Sequence, residues 1–425
     1  MLRSYKCIVN SPAARNALSY VVRSLHKDFR PCTILGIETS CDDTGCAIVD
    51  HEGTILGEAL QSQEHIHLQH GGIIPPIAEE HHRKNIASVV ERALGKYSLN
   101  DIDAIAVTTQ PGLPLSLQIG TKYAKHIARK HQKPLIPIHH MEAHALTIRM
   151  RKEIQFPFLV LLISGGHCLL AVAKSVREFF LLGQSIDDAP GEAFDKLARR
   201  MKLRNLPEFS SMSGGQAMEV SASRATDPLQ HRMSAPMLQY KDCNFSFAGL
   251  KNVVQRKIMK EEKEFDLAPD EVIPNAYNLA AALQVTITRH LCHRVQRAME
   301  FCKLHGLATN NQLVVSGGVA CNNFINRGLQ IVCTELGYTL HRPEPKLCTD
   351  NGIMIAWNGV EKWQTNCDIT TDYESIHIRK SSPLGVNLIP QVQAANISCK
   401  WVRLKGIEVP QTPEDIELAK MAGRT

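Results

Sequence analysis

The sequence predicts an α/β protein in which two halves of similar design form lobes around a central cleft. Short apolar strands alternate with longer amphipathic helices after residue 32. The stretch TILGIETSCDDTGCAIVD indicates a strand, a small polar turn and a second strand, and PFLVLLISGGHCLLAVAK repeats that pattern near mid-chain. With 425 residues and 44% hydrophobic content, the chain can bury the cores of two such lobes.

The first half continues as an alternation of strands and helices. After the hairpin, GTILGEAL supplies a third strand, and a helix follows over PIAEEHHRKNIASVVERALGKY. In that helix Ile86, Val89, Val90 and Leu94 recur at the spacing of one buried face. The strand DAIAVTT, the helix LSLQIGTKYAKHIARKH and the strand LIPI come next, and PIHHMEAHALTIRM is expected to form a helix.

The second half adds a long helix over AYNLAAALQVTITRHLCHRVQRAMEFC, the strand NQLVVSGG, a helix from Asn322 and the helix DNGIMIAWNGVEKW. Beyond Asp368 the pattern becomes irregular, with little core-forming periodicity. The predicted organisation is therefore a leader over residues 1–32, an N-terminal lobe over 33–150, a C-terminal lobe over 151–367 and a C-terminal extension over 368–425.

Residues 1–32 have the composition of a mitochondrial transit peptide. They carry six basic residues against the single acid Asp28, with serines and leucines between them. A plain basic extension is the alternative. Without this segment the remaining charges nearly balance, so overall basicity does not indicate nucleic-acid binding. Any such binding would depend on local clusters such as RRMKLRN (199–205) or HHRKN (81–85), which by default are solvated faces.

Two classes of protein are disfavoured by composition. The longest apolar runs stop short of the roughly 18 to 20 residues that a membrane-spanning helix needs, so no membrane insertion is expected. The 13 cysteines form no CxxC pair, which argues against a zinc ribbon or a thioredoxin-type site. We expect reduced thiols in a reducing compartment.

Three turns of small residues are candidates for phosphate binding. ETSCDDTG and LISGGHC open the two halves, and backbone N–H groups in such turns can face a phosphate. VVSGGVACNN lies between a strand and a helix, where helix N-terminal N–H groups could also meet an anion. Ordinary tight turns are the alternative for all three.

The histidines of HHMEAH suggest a metal site. On a helix His140 and His144 lie on one face and can hold one metal ion, whereas His139 would point elsewhere. A zinc-protease helix has the order HExxH, but here Glu142 lies about 200° around the helix from His140 and cannot serve the same metal-bound water. Glu142 is expected to support a neighbouring histidine.

A two-histidine site needs further ligands, commonly a carboxylate. Asp350, in CTDNG at the predicted start of a helix, is a plausible third ligand. Two histidines and one carboxylate suit iron and zinc alike. A surface or helix-cap arrangement of the two histidines is the alternative.

Eight stretches together resemble one family. They are GIETSCDDTGCAI, GGIIPPIAEEHH, HHMEAH, LLISGGHC, SIDDAPGEAFDKLAR, FSFAGLKN, VVSGGVACN and CTDNGIMIA. In this order the chain resembles the tRNA N6-adenosine threonylcarbamoyltransferases, formerly described as O-sialoglycoprotein endopeptidases, and within them the mitochondrial type. The resemblance implies the duplicated actin, sugar-kinase and Hsp70-type (ASKHA) fold and a location in the mitochondrial matrix.

The same resemblance implies a set of site residues. His140, His144 and Asp350 would bind one divalent metal ion per subunit, iron or zinc. Asp42 and Asp43 are candidates for substrate binding or proton transfer, with stabilisation of their turn as the alternative. The implied substrate-binding residues are Ile163, Ser164, Gly165, Gly166, His167, Asp195, Gly215 and Asn322. Because the loop FSSMSGGQA departs from the family pattern, Gly214 fits almost as well as Gly215.

The implied reaction transfers a threonylcarbamoyl group from L-threonylcarbamoyladenylate to N6 of adenosine 37 and releases AMP. The acceptors would be mitochondrial tRNAs that read codons beginning with adenine, and a separate synthase would supply the adenylate. The resemblance also implies a homodimer. Two other functions remain open: a sugar kinase or ATPase on the same fold, and a binding or scaffold protein that has lost its chemistry.

Overall fold

The structure, a computed structural model, describes residues 30–407 apart from residues 71, 229 and 232. All but the last three residues of the predicted transit peptide, and the end of the C-terminal extension, lie outside the described residues.

The first lobe is built on a five-stranded sheet of order β3-β2-β1-β4-β5. Its strands are β1 (Thr33–Glu38), β2 (Thr44–Asp50), β3 (Ile55–Gln61), β4 (Ala104–Gln110) and β5 (Leu135–His139). β1, β2 and β3 pair antiparallel, whereas β4 and β5 run parallel to β1. The predicted hairpin and the three strands after it are confirmed.

The second sheet repeats this arrangement. Its order is β10-β9-β6-β7-β8-β11. Read in the opposite direction without β11, the order β8-β7-β6-β9-β10 matches the order β3-β2-β1-β4-β5 of the first sheet. Its strands are β6 (Phe158–Ile163), β7 (Cys168–Ala173), β8 (Phe179–Gln184), β9 (Gln312–Ser316), β10 (Thr339–His341) and β11 (Val386–Asn387). β6 and β7 pair antiparallel, and β9 runs parallel to β6. The predicted α/β fold class and the duplicated architecture of two similar halves are confirmed.

Helices form in all six segments where the sequence analysis predicts one, and in further segments for which it makes no prediction. In the first half they are α1 (Glu64–Gln69), α2 (Pro75–Leu94), α3 (Pro114–His131) and α4 (His140–Leu146). In the second half they are α5 (Pro190–Arg200), α6 (Gly214–Ser223), α7 (Ala248–Glu264), α8 (Ala276–His305), α9 (Asn323–Leu336), α10 (Pro345–Cys348), α11 (Gly352–Gln364) and α12 (Ile389–Ala394). As predicted, α2 buries Ile86, Val89 and Val90 against the first sheet, while Leu94 is half-buried at its edge.

α11 covers the opposite face of the first sheet, although it lies in the second half of the sequence. Glycines permit this close approach: a Cβ on Gly36 would lie 2.2 Å from the backbone nitrogen of Ala356, and one on Gly352 would lie 2.4 Å from the carbonyl carbon of Cys46. The start of α11 is thereby fixed beside the end of β1. The lobe division at residues 150 and 151 stays a prediction, and the packing of α11 crosses it.

The C-terminal extension is largely irregular, as predicted, but it also contributes to the core. β11 adds to the second sheet beside β8, and the side chains of Ile376, Leu384, Val392 and Ile407 are buried. All twelve cysteines in the described range are free thiols. Within that range no helix combines the length and the apolar character needed to cross a bilayer.

Candidate active site

The site starts where β5 ends and α4 begins. His139 is the N-cap of α4, and its Nδ1 accepts a hydrogen bond from the backbone N–H of Met141 at 3.2 Å. His139 is engaged by this cap and is not among the side chains that could share a metal ion with His140 and His144. His140 and His144 follow on one face of α4, with ring centroids 4.7 Å apart and ring planes at 88°.

Asp350 joins these two histidines, although it lies 206 residues after His144 in the sequence. Its Oδ1 lies 3.4 Å from His140 Nε2 and 3.0 Å from His144 Nε2. The next residue, Asn351, caps α11 by accepting a hydrogen bond from the backbone N–H of Met354 at 2.9 Å, which fixes the position of Asp350.

The donor set of these three residues fits a divalent metal ion. Their potential ligand atoms all lie within 4.8 Å of one another. Two imidazoles and one carboxylate on one side form a donor set typical of iron and zinc sites with open positions. His144 Nδ1 is buried and has no hydrogen-bond partner among the described residues, so Nε2 is the nitrogen that this ring directs to the cluster.

Glu38, at the end of β1, lies behind His140 and is fully buried. Its Oε2 is 3.3 Å from His140 Nδ1, and Ser40 Oγ is 3.1 Å from the same nitrogen. The backbone N–H of Ser40 donates to Glu38 Oε1 at 2.5 Å, and the hydroxyl of Thr108 donates to Oε2. A carboxylate that accepts from the far nitrogen of a ligating histidine fixes the tautomer and orientation of the ring.

The charges around His140 favour a cation. Burial alone would lower the pKa of His140, but the carboxylates of Asp350 and Glu38 outweigh burial and raise it to about 10. Burial alone would raise the pKa of Asp350, but His140 and His144 hold it well below its usual value. The two carboxylates that favour the charged form of His140 would also favour a metal cation at this place.

Asp42 and Asp43 lie in the β1–β2 turn near this cluster and are half-buried. Burial raises the pKa of both carboxyl groups; that of Asp43 reaches about 7, with the charge of Asp42 as the second cause. The charge of Asp350 also raises both values. Asp43 Oδ1 is buried without a hydrogen-bond partner in the described part of the chain.

His82 of α2 anchors the same turn. It is fully buried, its Nε2 lies 2.9 Å from the carbonyl oxygen of Cys41, and its Nδ1 lies 2.7 Å from the hydroxyl of Thr44. These contacts require Nε2–H as the donor to Cys41 and Nδ1 as the acceptor from Thr44. The interpretation of residues 81–85 as a solvated face is therefore wrong for His82.

The β6–β7 turn brings the second lobe to the cluster. The ring centroid of His167 lies 6.4 Å from that of His140, and burial lowers the pKa of His167 to about 4. Ser164 Oγ accepts from the backbone N–H groups of Gly166 at 3.3 Å and His167 at 3.0 Å. A Cβ on Gly165 or Gly166 would meet nothing within 4 Å, so the turn faces open space.

Ile163 precedes this turn, and its side chain is fully buried. Only its backbone could reach a ligand. Its carbonyl oxygen lies so close to Gly317 that a Cβ there would be 2.4 Å away, and Gly317 has a φ of 98° that favours glycine. The third glycine turn therefore packs against the second one.

Asp195 lies on the exposed side of α5 and faces the start of α6. The backbone N–H of Gly215 donates to its carboxylate. A Cβ on Gly214 would lie 2.3 Å from Asp195 Oδ1, whereas a Cβ on Gly215 would meet nothing within 4 Å. Of the two glycines, Gly215 borders the open cleft, and Gly214 packs against Asp195.

Asn322 has a structural contact that the sequence analysis does not predict. Its Oδ1 accepts from the backbone N–H of Ile325 at 3.0 Å as the N-cap of α9, and from Gln284 Nε2 at 3.4 Å. The side-chain oxygen is thus engaged in capping, and the amide nitrogen is the group left for a ligand.

Glu142 contacts a lysine and not a neighbouring histidine, so it supports the histidines only through the packing of their helix. Its Oε2 lies 3.3 Å from the ammonium of Lys362 on α11, and Lys362 also contacts Asp368 at 3.0 Å. Lys362 is buried, and the two carboxylates raise its pKa despite that burial. This ion cluster ties α4 to α11 and so holds the two histidines against the segment that carries Asp350.

A family model described as tRNA N6-adenosine threonylcarbamoyltransferase matches residues 54–357, well over half of the chain. The chain belongs to this family. Mitochondrial tRNA N6-adenosine threonylcarbamoyltransferases from Xenopus tropicalis and Homo sapiens are each 47% identical over 88% of this chain, and the matches cover 93% and 91% of those proteins. The enzyme of Wolbachia pipientis wMel is 38% identical over 79% of this chain and 94% of its own.

Sequence reasoning about this threonylcarbamoyltransferase missed two residues that shape its site. Glu38 could have been predicted from the sequence, because it is an acid at the end of an otherwise apolar strand. A carboxylate buried at such a position needs charged or hydrogen-bonding partners, which points to a site. His82 carried no such signal, since it lies in a run of polar residues on α2. Its burial results from the packing of α2 against the first hairpin.

Proposed function

We propose that the protein transfers the threonylcarbamoyl group of L-threonylcarbamoyladenylate to N6 of adenosine 37 in mitochondrial tRNAs that read codons beginning with adenine, and releases AMP. The observation that carries the proposal is the cluster of His140, His144 and Asp350 opposite the open turn at residues 164–167. The relatives from Xenopus tropicalis and Homo sapiens are named as mitochondrial, which supports a mitochondrial location, and the matrix is the proposed compartment.

His140, His144 and Asp350 would hold one divalent ion per subunit, iron or zinc. When bound, such an ion supplies a Lewis acid that polarises a carbonyl or phosphoryl oxygen. Glu38 and Ser40 hold the Nδ1 side of His140, which leaves Nε2 facing the cleft. The turn at residues 164–167 borders the cleft from the second lobe and, with Asp195 and Gly215, is proposed to bind the donor.

The transfer requires one proton acceptor. The bond between N6 and the carbamoyl carbon forms as the bond from that carbon to the AMP phosphate oxygen breaks. AMP leaves with the electron pair, and N6 must lose a proton. Asp42 and Asp43 are the candidates, and the pKa of about 7 of Asp43 suits a base at neutral pH.

The remaining partners follow from the proposed chemistry. The adenylate is made by a separate synthase, because the proposed site activates the carbonyl carbon of a preformed mixed anhydride. The proposed assembly is a homodimer, and residues 1–32 are proposed as a mitochondrial transit peptide.

The test is to combine purified protein, adenylate donor and unmodified mitochondrial tRNA with a series of divalent metals, and to quantify threonylcarbamoyl-adenosine by mass spectrometry. His140→Ala and His144→Ala should abolish product, whereas His126→Ala, on the exposed side of α3, should keep it. Absence of product from the wild type with every metal would refute the proposal.

Two added measurements on the same proteins, nucleotide turnover and tRNA affinity, separate the other functions. A sugar kinase or ATPase would turn over nucleotide equally well in both histidine variants. A binding protein without chemistry would bind tRNA with full affinity in the metal-free state and yield no product.

A further inference from the structure

A strongly basic groove lies on the second lobe, between α5 and α7. It has a volume of about 420 Å³ and is lined by Lys196, Arg199, Arg200, Lys202, Lys251 and Gln255. Five of these six residues are cationic. Arg199, Arg200 and Lys202 belong to the cluster at residues 199–205 that the sequence analysis treats by default as a solvated face.

Carboxylates orient four of these cations, namely Lys196, Arg200, Lys202 and Lys251. Glu262 accepts from Arg200 Nη1 at 2.7 Å and Nη2 at 2.6 Å, and lies 2.8 Å from Lys202 Nζ. Lys196 contacts Glu192 at 2.5 Å, and Lys251 contacts Asp188. Three carboxylates thus contact these four cations. A guanidinium has five N–H donors and an ammonium three, so donors remain for a further anion.

The groove lies close to the reaction site. The backbone N–H of Gly191, in the first turn of α5, donates to the carbonyl oxygen of Ser164 at 3.1 Å. Asp195 follows one turn later, and Arg199 lies on the same face another turn on. At 1.5 Å per residue, Gly191 and Arg199 are about 12 Å apart along the helix. α5 therefore leads from the substrate turn into the groove.

We propose that this groove binds the phosphodiester backbone of RNA beside the nucleotide that is modified; this rests on the proposed function. Phosphates are contacted mainly by Arg and Lys side chains, which fix position and register without reading sequence. A row of cations begins two helical turns from the site. It is suitably placed to contact the phosphates of the RNA strand on either side of the reacting adenosine. The groove lining gathers five cationic side chains even though the chain beyond residue 32 is nearly neutral.

Gln255→Glu tests this proposal, because it adds a negative charge to the groove and removes none of the ion pairs. Gln255 is exposed on α7. We expect tRNA binding to weaken about 10-fold at low salt, and the slope of log K against log salt to fall by about 1. Affinity for AMP should be unchanged. Gln391→Glu on α12 is the matched control, since it makes the same change at an exposed position away from the groove.

The measurements are tRNA binding by filter retention across a salt series, AMP binding by calorimetry, and product formation. Equal tRNA affinity in the two variants would overturn the groove proposal. Weakened AMP binding with unchanged tRNA binding would also overturn it, because the groove would then serve a free nucleotide. If the wild type forms threonylcarbamoyl-adenosine while Gln255→Glu behaves as wild type, only the groove proposal fails; if the wild type forms none, the proposed function fails.

Discussion

Replacing Glu38 by Gln should weaken metal binding at the candidate site. The carboxylate accepts hydrogen bonds from the backbone of Ser40 and the hydroxyl of Thr108, and it faces His140 Nδ1. Gln keeps the shape of the side chain but loses the negative charge. It also replaces one carboxylate oxygen by an NH2 group. That group is a donor, so it would face a neighbouring donor from which the carboxylate accepts a hydrogen bond.

The geometry sets the size of the expected effect. Loss of a carboxylate behind a ligating histidine typically costs 10- to 100-fold in metal affinity. The contact from Glu38 to His140 is 3.3 Å long, and Ser40 Oγ is closer, at 3.1 Å. The hydroxyl can therefore hold the ring in part, and we expect the lower end of that range, about 10-fold or about 1.4 kcal/mol.

The assay is competition for Zn²⁺ or Co²⁺ between the purified protein and a chromophoric chelator at neutral pH. Glu361→Gln is the matched control: Glu361 is also buried, but it accepts from Arg149 Nε at 2.8 Å, and its hydrogen bonds do not involve the metal cluster. It should lower stability and leave metal affinity unchanged. A Glu38→Gln protein that binds metal as tightly as the wild type would refute the reasoning.

Three further predictions concern other parts of the molecule. Gly317→Ala should lower the free energy of unfolding by about 2–4 kcal/mol in urea, because Gly317 has a φ of 98° and a Cβ would lie 2.4 Å from a carbonyl oxygen. Among the twelve described cysteines, Cys321 should react first with iodoacetamide at neutral pH, because the thiol of Cys348 lowers its pKa to about 7. Glu262→Gln should cost about 1–2 kcal/mol of stability near pH 7 after allowance for screening, because hydrogen bonds from Arg200 lower the pKa of Glu262 to about 2.

Each of these predictions has a control or a contradicting result. A Cβ on Gly318 would meet nothing within 4 Å, so Gly318→Ala should be tolerated, and equal losses at both glycines would contradict the steric argument. Cys321→Ser should remove the fast phase of alkylation, and a fast phase that persists would assign it to another thiol. The cost of Glu262→Gln should shrink as pH falls below about 4.3 toward 2, since the unfolded carboxylate then protonates first. A cost that is constant with pH would exclude the charge as its cause.

Local patterns predict much of this fold. The two hairpins, the helices between them and the buried face of α2 all follow from spacing along a short stretch of chain. The placement of α11 on the first sheet does not, because it depends on contacts between segments about 300 residues apart. The burial of the C-terminal extension likewise has no local signal, since scattered apolar residues in an irregular segment show no period.

The candidate site shows the same division. The pairing of His140 with His144 follows from helical spacing, Asp350 is a plausible third ligand from its place at a predicted helix start, and the resemblance then implies all three. The capping contact of Asn322 could have been predicted, because Asn is favoured just before a helix. The partner of Glu142 could not, since Lys362 reaches it only through the packing of α4 against α11.

The position of α11 has a consequence for the order in which the chain folds. A nascent chain that ends near residue 150 has all five strands of its first sheet but exposes the apolar face that Ile353 and Trp357 later cover. Such an intermediate exposes an aggregation-prone apolar surface until more than 200 further residues have been synthesised. It is therefore a candidate for chaperone binding. A truncated fragment of residues 33–150 should therefore aggregate, whereas the same fragment with α11 joined to it by a flexible linker should remain in solution.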